Sequence, residues 1–336
     1  MKRFFTLLAL SILVGGTAFG QQDPMFTKYM FNSLTFNPAY AGSWDHMTVG
    51  LLHRSQWVEI PGAPTTQTLT LHTPLRNERV GVGFSIINDK IGPTNSTSLN
   101  LAYAYKIPIG NMKLSIGLQA GMENYNADWT QLELETGATI DDEAFRIGQN
   151  KFFPNFGAGL YLSNEKFYVG FSSPHLVEYD LREQQDITTP IWARSVRHYF
   201  AMAGVAIPLK GRALIFKPSI LVKNVGLFKS GAKDENFRNI GAPNEFDIDL
   251  SFLFQETLWL GAAFRSAFAA FGTEKRSSFD SADIWFSYNL KNGLRIGAAY
   301  DFPLSEIQTV TTGAFELMIG YEFDYKNTKV VTPRYF

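Results

Sequence analysis

Apolar and polar residues alternate in runs of about ten residues along most of the chain, between Met47 and Tyr325. From Phe315 to Tyr325 every odd position is apolar, whereas the even positions are Glu, Met, Gly, Glu and Asp. Successive side chains of a β-strand point to opposite faces, so this segment has one apolar face and one acidic face. Many such runs with no helical period between them predict an all-β fold, a transmembrane antiparallel up-and-down β-barrel in a bacterial outer membrane.

About fourteen segments fit this pattern, and bacterial barrels have an even number of strands. The predicted strands span residues 47–57, 66–73, 79–89, 96–107, 112–125, 152–163, 166–172, 197–207, 212–223, 245–255, 257–265, 282–290, 293–301 and 313–325. The link after every even-numbered strand is short, and the link after every odd-numbered strand is longer. Outer-membrane barrels have short periplasmic turns and long external loops, so both chain ends are expected in the periplasm.

The residues outside the barrel divide into three predicted segments. Residues 1–20 read as a secretory signal, with a charged start, an apolar stretch and the small-x-small site Ala18-Phe19-Gly20. Residues 21–46 form an N-terminal helical or plug segment before the barrel at 47–325, and residues 326–336 form a periplasmic tail. Met25, Phe26, Tyr29 and Met30 have helical spacing, which predicts a short amphipathic helix that ends before Asn37-Pro38.

Composition narrows the range of functions. Without residues 1–20 the excess of acidic over basic residues grows from one to three, so no nucleic-acid partner is expected. Cysteine is absent, and the five histidines show no metal-ligand spacing. No serine nucleophile elbow occurs either. The sequence therefore predicts no cofactor, no metal site and no enzyme activity. The 29 Phe and 14 Tyr residues suit aromatic girdles at the two membrane interfaces.

Several short motifs carry a resemblance to a known family. They are DPMFTKYMFN at 23–32, NPAYAGS at 37–43, HRSQW at 53–57, PGAPTT at 61–66, WLGAAFR at 259–265, RIGAAYD at 295–301 and GAFE at 313–316. In this order they resemble the PorP/SprF family, outer-membrane proteins associated with type IX secretion and gliding in Bacteroidetes. The opening signature contains Phe26, Tyr29, Asn37, Pro38 and Tyr40.

The resemblance implies a role in exporting, or retaining at the cell surface, large adhesin-like proteins that carry a C-terminal sorting domain, also in gliding motility. The implied partners are outer-membrane lipid, type IX secretion components, and a secreted adhesin or its sorting domain. The loops at 126–151 and 224–244 carry no family motif, and partner identity is expected there. The alternative is a FadL-like transporter of hydrophobic solutes, because that family also has a plugged barrel and an Asn-Pro-Ala element near its start.

Two sets of residues are candidate sites. Arg54, Trp57, Gly62 and Pro64 are a candidate partner-binding element on the first external loop. In the alternative reading Trp57 belongs to the aromatic girdle and Arg54 pairs with a lumen carboxylate. The second set consists of charges that the alternation assigns to the lumen: Asp247, Asp249, Arg265, Arg295, Asp301 and Glu316. These charges either line a permeation path or pair with one another around a plug, for which residues 21–43 are the candidate.

Overall fold

The computed structural model is a closed antiparallel barrel of fourteen strands, and it describes residues 26–75, 78–128, 149–179, 197–225, 244–268 and 279–323. The strands are β1 (Thr48–Ser55), β2 (Thr65–Pro74), β3 (Val80–Ile91), β4 (Thr94–Ile109), β5 (Met112–Ala127), β6 (Gln149–Ser163), β7 (Phe167–Ser173), β8 (His198–Val205, continued by Ile207–Pro208), β9 (Leu214–Val225), β10 (Glu245–Phe254), β11 (Leu258–Ala267), β12 (Phe279–Asn289), β13 (Leu294–Pro303) and β14 (Ala314–Glu322). Each strand pairs with the next, and β14 pairs with β1 from Thr48↔Glu322 to Ser55↔Phe315. This last pairing closes the barrel.

The alternation of side chains assigns the two faces as the sequence predicts. On β4, Leu101 is 60% exposed on the outer face, whereas its neighbours Asn100 and Ala102 are buried. Apolar side chains thus cover the outside, where they meet lipid, and polar side chains point inward. No helix among the described residues is long and apolar enough to cross a membrane.

The prediction of a longer link after every odd-numbered strand is wrong at one place. Only Gly92 and Pro93 separate β3 from β4, because both strands continue beyond the predicted ends and pair as far as Ile91↔Thr94. Asn95 in this extension accepts a hydrogen bond from Asn88 across the two strands at 2.9 Å. Three of the four added residues are polar, so the apolar alternation that predicts the strands stops before the hydrogen bonding does. Elsewhere the barrel has a short-turn end and a long-loop end.

A plug segment fills the lumen ahead of β1. It comprises a 3-10 turn at Tyr29–Phe31, a helical turn at Ser33–Phe36 and a second 3-10 turn at Pro38–Tyr40. We call residues 26–46 the plug. Its first described residue contacts the half of the barrel near the long loops, and its last residues reach the short-turn end, where β1 begins. The predicted signal segment lies outside the described residues, so the periplasmic location of the amino terminus stays a prediction.

The first helical turn begins later than the helix predicted from Met25 to Met30. Met25 lies outside the described residues, and Phe26 to Lys28 precede the first helical turn, which starts at Tyr29. The backbone N–H groups of Thr27 and Lys28 donate to the carboxylate of Glu316, at 2.8 and 3.0 Å. Because a carboxylate of the wall accepts these hydrogen bonds, residues 27 and 28 are held against the barrel and the first helical turn begins only after them. Asn37 ends the helical turn, as expected from Asn-Pro.

Candidate functional site: the plugged lumen

Polar side chains of the wall hold the first described residues of the plug. Arg265 donates to the carbonyl of Phe26 at 2.7 Å, and the hydroxyl of Thr27 donates to Asp301 at 2.7 Å. Glu316 accepts two further hydrogen bonds from backbone N–H groups of the plug, so the wall binds both the backbone and the side chains of this segment. Arg54 completes the arrangement: its guanidinium lies 2.7 Å from Asp301 and donates to the Thr27 hydroxyl.

Lys28 makes a buried ionic contact between plug and wall. Its ammonium lies 3.0 Å from the carboxylate of Asp249 and 2.5 Å from that of Asp283, and all three residues are almost completely buried. Burial lowers the pKa of Lys28, but the two carboxylates more than offset this, so its pKa lies above the ordinary value. The indole N–H of Trp285 also donates to Asp249, at 2.7 Å.

Another buried ion pair lies beside these and belongs to the wall. Arg265 on β11 lies 2.8 Å from Asp247 on β10, and the two residues face each other in the strand register. Opposite charges on neighbouring strands stabilise the sheet. Since Arg265 also binds the plug backbone, plug and wall share one network in which each buried charge has a partner.

The middle of the plug is apolar. Phe36 makes edge-to-face contacts with Phe26 and Phe200, with ring centroids 5.6 and 5.1 Å apart. Tyr29, also at an edge-to-face angle to Phe36, is 1% exposed. The core of this protein therefore lies inside the barrel, between plug and wall, and not between sheets.

Glycines on the wall make room for the second half of the plug. An added Cβ on Gly117 would overlap the backbone of Ala39, and one on Gly81 would overlap the carbonyl of Ala41. Asn37 fits against Gly159, donates to the carbonyl of Leu160 at 3.0 Å, and accepts the N–H of Ala39 at 2.9 Å. The plug backbone lies directly on the wall at these positions, which only glycine permits.

Charged and aromatic side chains meet at the short-turn end of the plug. Arg295 lies 2.6 Å from Glu322, and its guanidinium packs over the rings of Trp44 and Phe31, at 4.9 and 5.6 Å from their centroids. His46 lies 3.3 Å from the other oxygen of Glu322. These contacts fix the last plug residues where the chain turns into β1.

A cavity of about 60 Å³ remains between the plug and the wall near this end. The wall side is formed by β1, β2, β13 and β14, and the plug side by residues 30–34, Tyr40 and Trp44. Its polar lining includes Asn32, His72 and Thr70, and its apolar lining includes Leu52 and Met318.

The predicted partner-binding residues are not brought together at one surface. Arg54 is 2% exposed and points into the lumen, where it pairs with Asp301, and Pro64 is buried. Trp57 is half-buried and takes a left-handed backbone conformation with φ of 50°. Gly62 is exposed, and its carbonyl accepts the N–H of Gly92 in the β3–β4 turn at 2.8 Å.

The predicted lumen charges and the opening signature all lie inside the barrel, with Arg295 at the short-turn end, apart from the other charges. All of them point into the barrel or lie in the plug: Asp247, Asp249, Arg265, Arg295, Asp301 and Glu316 on the wall, and Phe26, Tyr29, Asn37, Pro38 and Tyr40 in the plug. Sequence reasoning missed Lys28 and Asp283, which form the shortest ion pair among the described residues. The signal was present, because Asp283 occupies an inward position on β12 and Lys28 is the one basic residue in the opening motif.

Comparison with known proteins gives the family. The model of the type IX secretion system membrane protein PorP/SprF matches residues 18–321, which is most of the chain. The chain belongs to the PorP/SprF family. It is thus an outer-membrane β-barrel of the type IX secretion system, and the resemblance drawn from its motifs is confirmed. No curated protein matches this PorP/SprF chain.

Solved barrels resemble the PorP/SprF chain only distantly. The Acinetobacter baumannii outer membrane protein Omp33 is 10% identical, with a TM-score of 0.46 over 83% of this chain and 98% of Omp33. The monoaromatic hydrocarbon channel CymD is 13% identical, with a TM-score of 0.47 over 91% and 95% of the two chains. A Pseudomonas aeruginosa FadL homologue is 13% identical, with a TM-score of 0.44 over 92% and 96%. These values are too low to carry a functional argument.

Proposed function

We propose that this barrel acts in type IX secretion as a binding and assembly protein. It supports the export or cell-surface anchoring of adhesin-like proteins with C-terminal sorting domains, including passengers that act in gliding motility. The match of the PorP/SprF family over residues 18–321 is the observation that carries this proposal. The proposed partners are the other secretion components and the passenger, and the proposed role is not catalytic.

The plugged lumen supports a role in binding over a role in solute passage. Buried ion pairs and backbone hydrogen bonds attach the plug to strands β1 and β10 to β14. A passenger then docks on the outside of the barrel or at its ends, and does not pass through the lumen. A FadL-like transporter would need a continuous apolar path, and the layer of charged groups around Lys28 counts against one.

The barrel is proposed to lie with its short-turn end in the periplasm and its long-loop end outside the cell. Bacterial outer-membrane barrels have this arrangement of turns and loops. Glu322 and Phe323, where the described chain stops, then lie on the periplasmic side. The long loops expected to determine the partner fall largely outside the described residues.

The test is to delete the gene and to restore it with an affinity-tagged copy. Intact outer membranes from the restored strain are solubilised in mild detergent, and the proteins that co-purify are identified. Surface display of large adhesins is measured in parallel, by protease accessibility on whole cells. A mock purification from the untagged strain provides the control for adventitious binding.

The expected result is the loss of one or more adhesins from the surface of the deletion strain and co-purification of secretion components with the barrel. Uptake of small solutes should not change. Normal adhesin display, together with recovery of the barrel alone with bound lipid, would refute the proposal and favour the transporter.

A further inference from the structure

The cavity between plug and wall has the features of a binding site. Gly50 and Gly320 face each other across the β1–β14 seam, and both line the cavity. Neither glycine has a side chain to fill the space, so these two residues of the wall leave the cavity open. A methyl group on Gly320 would meet no atom closer than 3.6 Å, so close packing does not demand glycine at this position.

Asn32 is the second observation, and it points to a ligand. The residue is 3% exposed and lines the cavity, yet neither its amide nitrogen nor its amide oxygen has a hydrogen-bond partner among the described residues. His72, on the opposite side, leaves its Nδ1 without a partner. The other polar plug side chains from Thr27 to Asn37 are all bonded. Buried polar groups are nearly always satisfied, and these two side chains line a cavity, so whatever occupies the cavity can hydrogen-bond to them.

The lining determines the charge of the ligand. Arg295 and Glu322, the charged residues that line the cavity, neutralise each other at 2.6 Å. Their side chains are 20% and 25% exposed, which places the mouth of the cavity beside them at the short-turn end. No unpaired charge among the described lining residues would compensate a charged ligand, and burying an uncompensated charge is highly unfavourable. The ligand is therefore neutral.

The chemistry of the lining points to an amide. A free carboxamide offers a donor and an acceptor side by side, which an amide group complements with two hydrogen bonds. Leu52 and Met318 provide an apolar surface for the carbon atoms next to such a group. About 60 Å³ corresponds to roughly four to six water-sized positions, which fits one peptide unit or one carboxamide side chain.

We propose that this cavity binds an uncharged amide group of a polypeptide that approaches the short-turn end. The choice of a polypeptide rests on the proposed function, which places that end in the periplasm, where secretion partners and passengers are found. The amide specificity rests on Asn32 and on the cavity alone.

The binding test uses the full-length protein in detergent micelles and the neutral probe N-acetylalanine methylamide. Saturation-transfer NMR measures its affinity for the wild type and for Asn32→Leu, which keeps the bulk but removes both polar atoms. Asn100→Leu is the matched control, because Asn100 is also a buried lumen asparagine but does not line the cavity. Gly320→Ala narrows the cavity without a clash. Heat-modifiable migration on gels confirms that each variant is folded.

The probe should bind the wild type and Asn100→Leu equally, and Asn32→Leu about tenfold more weakly, as expected for the loss of two hydrogen bonds. Gly320→Ala should also bind more weakly. Absence of probe binding to the wild type, or equal binding by Asn32→Leu, would mean that the cavity holds only water. Tighter binding of N-acetylglucosamine than of the peptide probe would overturn the assignment to a polypeptide.

A test in cells separates this inference from the proposed function. Adhesin display should fall in a strain carrying Asn32→Leu and remain normal with Asn100→Leu. If the deletion strain loses display but Asn32→Leu does not, the proposed function stands and the polypeptide ligand is wrong. If the deletion strain keeps its adhesins, the proposed function fails whatever the probe does.

Discussion

Replacing Lys28 with methionine tests whether the buried ion pairs hold the plug in the lumen. Methionine keeps the length of the side chain and removes its charge. The carboxylates of Asp249 and Asp283, 3.0 and 2.5 Å from the ammonium, then face the lumen without their partner. The plug should undock from the wall more often, while the barrel strands stay paired.

The loss of docking free energy can be worked out from the burial of these charges. Lys28 and Asp249 are completely buried and Asp283 is 2% exposed, so solvent screens these charges little. Removing one partner of such a buried pair costs about 3–5 kcal/mol. Trp285 still donates to Asp249, which favours the lower end of that range. A loss of about 3 kcal/mol raises the undocked fraction of the plug roughly a hundredfold.

Chymotrypsin cleavage measures that fraction, because it cuts after the Phe and Tyr residues of the plug and does not depend on lysine. When undocking is fast relative to cleavage, the rate follows the undocked population. Conductance of single barrels in planar bilayers is a second readout, since an undocked plug leaves the lumen open. Both should rise in Lys28→Met.

A control and a rescue make this prediction specific. Lys223→Met also removes a buried lumen lysine, but its carboxylate partner Glu245 belongs to the wall, so plug cleavage should change little. Adding Asp249→Asn and Asp283→Asn to Lys28→Met removes the uncompensated charges and should restore most of the protection. Cleavage of Lys28→Met at the wild-type rate would refute the claim that this pair anchors the plug.

Three further predictions concern the same segment. Gly117→Ala should displace the plug near Ala39 and raise its cleavage rate, whereas Gly320→Ala should not, because only the first methyl group overlaps plug backbone; equal rates would contradict this account. Asn37→Ala removes two hydrogen bonds and should destabilise docking by about 1–3 kcal/mol, which chymotrypsin cleavage checks against the wild type. The raised pKa of Lys28 gives a stabilisation that is complete below its ordinary pKa of 10.5 and is lost as pH rises through the higher docked value. Conductance should therefore stay low up to about pH 10; opening near neutral pH would contradict this.

The sequence predicted faces and strands well because both depend on local alternation. Asp249 and Glu316 could be assigned to the lumen from their neighbours alone, since the period of two is a property of the strand. The strand count was right for the same reason. The ends of β3 and β4 were not, because hydrogen bonding continues into a polar stretch where alternation gives no signal.

Partners across the lumen could not be predicted in this way. Alternation tells which side a residue faces, but not its depth or what it meets there. Lys28 reaches Asp249 over 221 positions of sequence, and no local pattern links them. Thr27 and Lys28 were expected to be helical from spacing alone, whereas a wall carboxylate 288 or more positions away takes their backbone donors.

The long sequence separation between the plug and its anchors constrains how the protein matures. The carboxylates that bind residues 27 and 28 lie on strands β10 to β14, which are synthesised after the rest of the barrel. The plug therefore cannot dock until these strands are in place. Contacts between such distant positions form slowly. A barrel still lacking its closing strand would leave the amino-terminal stretch without its partners. Insertion of the plug would then report that biogenesis is complete.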